Sequence, residues 1–116
     1  VEVLLILKND FMPQIKDIKK KELSPGIKGQ YVHGENLTTG WVTIEKGSIL
    51  GLHQHPHEQI TIMLKGKMEM KIGHETVLLQ EGMIQVIPSN VPHSALAHED
   101  CTLIDVFNPV REDYRS

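Results

Sequence analysis

An all-β domain, a sandwich or a barrel, is the fold class this sequence predicts, on three observations. From Gly29 onward the chain breaks into short runs rich in Val, Ile, Thr and Met: GWVTIEKG, EQITIMLKG, KMEMKI, ETVLLQEG, MIQVIPSN, HSALA and CTLIDVF. Turn-forming pairs separate them, at Lys46-Gly47, Lys65-Gly66, Gly73-His74, Glu81-Gly82, Ser89-Asn90 and Glu99-Asp100. The spacing of about ten residues is that of antiparallel strands, and helical period competes only as a turn within residues 15–23.

Each element follows in order. VEVLLIL, residues 1–7, reads as an apolar first strand, a candidate for edge pairing or exchange with a second copy. It is too short to cross a bilayer, and no small-residue cleavage site follows it, so no membrane association and a cytoplasmic location are expected. Residues 8–29 carry Lys16, Lys19, Lys20 and Lys21 among scattered apolar residues, and read as an extended arm with a solvated lysine face, closed by a turn at Ser24-Pro25-Gly26. The organisation expected is one domain, with residues 1–28 as an arm associated with a barrel of residues 29–116.

Composition narrows the function classes. Apolar residues make up 40% and charged residues 23% of the 116, which suits a globular protein. A net charge of −3 with two Phe, two Tyr and one Trp supplies neither the basic surface nor the stacking rings that nucleic acid requires. The single cysteine, Cys101, excludes an internal disulfide and reads as a buried thiol.

The chemistry is concentrated in GLHQHPHEQ, residues 51–59. Side chains at i and i+2 of a strand share a face, so His53 and His55 project together as a pair of imidazole metal ligands would. Simple alternation would add His57 and Gln59. Pro56 interrupts it, and one strand is expected to end near His55 and another to begin near Gln59. In the latter strand Gln59, Thr61 and Met63 should face the interior and Ile60, Ile62 and Leu64 the outside. A further histidine, His93, follows Pro88-Ser-Asn-Val-Pro92 and opens the next strand.

These segments resemble the cupin family. Residues 47–66, GSILGLHQHPHEQITIMLKG, are similar to the first cupin motif: a glycine, HxH, a further ligand after three intervening residues and a closing glycine. Residues 81–95, EGMIQVIPSNVPHSA, are similar to the second, a glycine followed by proline and histidine. The resemblance implies a jelly-roll β-barrel and one divalent transition metal (zinc, nickel, manganese, iron or copper) held by His53, His55, Gln59 and His93. His57 falls outside that set, and strand parity turns Glu58 to the opposite face. Two positions depart from the motifs. Asn90 stands where glycine is common and tolerates a left-handed backbone. Gln59 stands where glutamate is common. Four neutral donors leave the metal's charge uncancelled, which makes a stronger Lewis acid and a looser metal site, partly occupied after purification.

The tail, CTLIDVFNPVREDYRS, places Leu103, Asp105 and Phe107 on one face by alternation. The residues alone leave Asp105 facing solvent or a functional pocket, and Arg111 in a loop beyond Pro109. HPHEQ, NVPHSA and LIDVFNPVRED together resemble the KdgF-type small cupins of pectin and alginate catabolism. In that family an Asp-x-Phe-x-x-x-Arg pattern works beside the metal, and it falls here on Asp105, Phe107 and Arg111. The resemblance implies conversion of 4,5-unsaturated monouronates to linear ketonised sugars. Asp105 would move a proton, Arg111 would pair with the carboxylate of a small anionic sugar, and Phe107 would pack on its ring. Small cupins also imply a homodimer. Rival readings are a metal-dependent dioxygenase and a non-catalytic cupin that binds sugar acids. Among the remaining residues, Met63, Met68, Met70 and Met83 either fill core gaps or line a pocket. His33 is a candidate for the pocket mouth, and His74 and His98 are expected in solvent.

Overall fold

The computed structural model describes residues 12–115, so the apolar run at residues 1–7 lies outside the described residues. A 3-10 turn at Ile15–Asp17 precedes β1 (Lys21–Ser24), β2 (Ile27–His33), β3 (Thr38–Ile44), β4 (Ile49–His53) and β5 (Glu58–Lys65). These are followed by β6 (Lys67–Ile72), β7 (Glu75–Gln80), β8 (Ile84–Ile87), β9 (His93–Ala97) and β10 (Cys101–Asn108), and a second 3-10 turn at Glu112–Tyr114. The strands build a six-stranded sheet ordered β1-β2-β3-β10-β5-β8 and a four-stranded sheet ordered β4-β9-β6-β7, with antiparallel pairing throughout. From β3 to β10 the chain changes sheet at every connection except the β6–β7 hairpin, which is how residues distant in sequence become neighbours.

Left-handed backbone sits where turn chemistry predicts it: Gly47, Gly66, Gly73, Gly82 and Asn90 have positive φ. Gly66, at φ 103°, is doubly constrained, because a Cβ there would also run into the Asp100 carbonyl and the Cys101 sulfur. Within residues 8–29 the chain carries strand structure that the sequence does not suggest. Residues 21–29 are not an extended arm but the β1–β2 hairpin at the edge of the larger sheet, turning at Gly26. Lysines disguise it, and lysine is what an edge strand carries to discourage further pairing. Ile27 and Tyr31 of β2 point into the core.

Alternation divides the interior into an apolar and a polar half. On β5 Gln59, Thr61 and Met63 are buried, while Ile60 and Leu64 are exposed and Ile62 is half-buried. On β10 Leu103 pairs with Met63, Asp105 with Thr61 and Phe107 with Gln59. Leu103 and Met63 belong to a core that includes Ile27, Val42, Ile44, Met68, Met70, Leu79 and Ile87. Each such side chain contributes about 1.5–3 kcal/mol by leaving water. One step along the strands, the inward residues turn polar. Met83 departs from its expected place: it is exposed in the β7–β8 connection, whereas Met63, Met68 and Met70 are buried. Cys101 is buried, and burial pushes its thiol pKa up. No helix among the described residues is long and apolar enough to cross a membrane.

Candidate metal centre

β4 and β9 are paired so that His53 lies opposite His93. β4 ends at His53, earlier than expected, and His55 stands in the connection to β5 rather than on the strand. The three rings nevertheless converge. His53 and His93 centroids are 4.2 Å apart, His55 and His93 4.9 Å, and the ligand atoms of all three lie within 4.8 Å of one another.

Each ring is oriented by a backbone carbonyl two residues away. Nδ1 lies 2.7 Å from the Gly51 oxygen in His53, 3.0 Å from the His57 oxygen in His55, and 2.8 Å from the Val91 oxygen in His93. A carbonyl only accepts, so each Nδ1 carries the proton and each Nε2 offers its lone pair. Burial, then the Arg111 charge and His93, lower the His55 pKa to about 4, and burial lowers that of His93, so both stay neutral near pH 7.

Two features call for a cation. The Nε2 of His93 is buried without a partner among the described residues. The Nε2 of His55 lies 3.1 Å from Gln59 Oε1. With Nδ1 of His55 protonated, these are two acceptors facing each other, an arrangement that a metal ion between them turns from repulsive to favourable. The Gln59 amide cannot relieve the clash by rotating, because its Nε2 donates to Thr61 Oγ1 at 2.9 Å and Asp105 Oδ1 at 3.1 Å. The Thr61 hydroxyl donates to the same Oδ1 at 2.6 Å. The residues present therefore fit a divalent metal held by imidazole nitrogens with an amide oxygen alongside.

Residues 40–107 match the cupin domain family. The chain belongs to the cupin family. It is similar to the pectin degradation protein KdgF of Dickeya dadantii, 32% identical over 97 residues that cover 81% of this chain and 88% of that one. The structure of KdgF from Halomonas sp. superposes with a TM-score of 0.78 at 31% identity, covering 84% and 92% of the two chains. An RmlC-like cupin from Shewanella frigidimarina superposes with a TM-score of 0.84 at 23% identity over 91% of this chain and 96% of its own, a likeness of fold.

Around the cluster, this cupin encloses a cavity to which Asp105, Phe107 and Arg111 all contribute. Burial raises the Asp105 pKa to about 6, against the opposing pull of its bonds from Thr61 and Gln59 and of the Arg111 charge. Arg111 is not a surface residue: only 6% of it is exposed. Its guanidinium lies 3.9 Å from the Tyr114 ring centroid and 4.7 Å from that of Phe107, and Nε and Nη2 donate to the two oxygens of Asp113 at 3.0 and 2.7 Å. Burial is the largest influence and works against the Arg111 charge, but the Asp113 bonds together with the Tyr114, Asp113 and Tyr31 charges raise its pKa, and the Arg111 contact lowers that of Asp113. The Arg111 backbone N–H donates to Thr38 Oγ1 at 2.8 Å, tying the segment after β10 to β3. Phe107 sets its ring edge-on to His55, centroids 5.7 Å apart.

His57 lies outside the cluster; its carbonyl orients His55, and its ring stands edge-on to Phe107. Glu58 is exposed, as parity requires, and so are His74 and His98, the latter 3.3 Å from Glu69. His33 is bonded to Thr38 and does not line the cavity. Sequence reasoning overlooked Asp113, Tyr114 and Tyr31 as site residues. A signal existed for the first two, since Asp113 and Tyr114 fall within one turn of Arg111. Thr61 was expected inside the barrel, but its bond to Asp105 depends on the β5–β10 register.

Proposed function

We propose that this cupin is a metal-dependent enzyme that converts 4,5-unsaturated monouronates, of the kind released in pectin or alginate breakdown, into linear ketonised sugars. The observation that carries the reading is the convergence of His53, His55 and His93 beside a half-buried carboxylate, Asp105, whose pKa burial raises to about 6. Similarity to KdgF at 32% identity supports it.

A divalent ion held by His53, His55, Gln59 and His93 supplies Lewis-acid polarisation of a substrate oxygen, with none of its charge cancelled by these donors. The rest of the reaction falls to the chain's own residues and needs no co-reactant. The bond from ring oxygen to C1 opens as the anomeric hydroxyl loses its proton, leaving an aldehyde at C1 and an enol at C5. Proton delivery to C4 then turns the enol into a ketone, and the product is an isomer of the substrate. Asp105, held by Thr61 and Gln59, takes up and returns the proton. Arg111 keeps its Nη1 edge for the substrate carboxylate while Asp113 holds the Nε–Nη2 edge. Phe107 offers an apolar wall for the sugar ring.

Product identification tests this reading. Incubation of unsaturated galacturonate or mannuronate with metal-loaded protein should replace the C4 alkene proton in the NMR spectrum by a methylene pair, one hydrogen of it from solvent. Persistence of the alkene signal at the rate of the protein-free control would overturn the assignment.

A further inference from the structure

Tyr31 lines the same cavity and has no part in the chemistry above. Its side chain is 9% exposed, and its hydroxyl is buried with no partner among the described residues. Buried hydroxyls are ordinarily paired, and a phenylalanine here would avoid the cost of one that is not.

The position is built for this ring. Tyr31 lies opposite Gly40 on β3 and shares a strand face with Gly29 on β2. A Cβ at Gly40 would collide with the edge of the Tyr31 ring, and one at Gly29 with its hydroxyl end. The two glycines thus leave a trough that the ring fills. Tyr31, Gly40, Asp105 and Thr61 form one row across the inner face of the sheet; the ring crosses toward Gly40 and sets its hydroxyl over Gly29, in the neighbouring row of Val42 and Leu103. Tyr114 covers the ring from the other side, centroids 4.6 Å apart. Burial, with Tyr114 and Asp105 nearby, raises the phenol pKa, so it remains a hydrogen-bond donor at neutral pH.

We propose that Tyr31 is a ligand-recognition residue, whose hydroxyl donates a hydrogen bond to an oxygen of the acid sugar that enters this cavity. The inference rests on the uronate reading and adds a contact to it. At about 50 Å³ the cavity holds a few water-sized groups, so one end of a six-carbon acid enters and the remainder stays at the mouth. Tyr31 therefore reads an oxygen on the inserted end.

Tyr31→Phe keeps the ring in its trough and removes only the hydroxyl. With unsaturated galacturonate as probe, kcat/KM should fall about five- to tenfold, with metal content unchanged and Tm equal to or above that of the wild type. A wild type that converts the probe while Tyr31→Phe stays within about twofold of it overturns the role of Tyr31 and leaves the uronate reading standing. A fall accompanied by lost metal or a Tm lowered by more than about 5 °C assigns the residue to packing and overturns it too. A metal-loaded wild type that leaves the probe untouched removes both the uronate reading and this inference.

Discussion

The two halves of the site are held by different means. The histidine half is local: each ring is fixed by a carbonyl two residues away, at Gly51, His57 and Val91. The polar half is long-range: Thr61 and Gln59 reach Asp105 across 44 and 46 residues, and the Arg111 backbone reaches Thr38 across 73. Local anchoring sets the tautomer of each imidazole, while the β4–β9 pairing brings His53 against His93. Long-range anchoring makes the roles proposed for Asp105 and Arg111 depend on the β5–β10 register and on the fold-back onto β3, so the two halves should fail separately.

The largest separation comes from His93→Ala, which deletes the imidazole whose Nε2 is buried and unpartnered. Bound metal should fall from about one ion per chain to near zero by elemental analysis, and conversion with it. Asp105→Asn attacks the other half. The rate should drop about 10²- to 10⁴-fold while metal content stays near the wild-type level; a drop explained by metal loss would show that the halves are not separable. Thr61→Val touches both, because Thr61 bonds the carboxylate and the amide that orients Gln59. Metal affinity measured by competition with a chelator should weaken about 10- to 100-fold. His57→Ala should do least: the carbonyl that orients His55 survives, so metal affinity should change less than about threefold and stability by about 1 kcal/mol or less in thermal melts. A large metal loss in that variant would make His57 a ligand and break the local account.

The same division decides how much was legible in the sequence. The strands after β2, the turns with left-handed residues and the His53–His55 pair are properties of short stretches, where alternation, proline and glycine speak directly; His93 joined the pair through its resemblance to the second cupin motif. The β1–β2 hairpin was hidden because its edge-strand lysines mimic a solvated arm. Alternation put Asp105 on the face of Leu103 and Phe107 but left it in solvent or a pocket, and only the family pattern set it beside the metal; its contact with Thr61 exists only once β5 and β10 are in register. Arg111 was legible as a position in a pattern. Its burial between Phe107 and Tyr114 was not, because it depends on how the chain after β10 folds back on β3. Tyr31 belongs to the same class, its trough made by one glycine on its own strand and one on the next.

The most direct measurement of the central claim follows the ultraviolet absorbance of the conjugated enol-acid in unsaturated galacturonate, using protein stripped of metal and then reloaded. Metal-loaded protein should give a fast decay that disappears on stripping and returns on reloading. A decay no faster than in protein-free buffer, with metal bound at about one ion per chain, would contradict it.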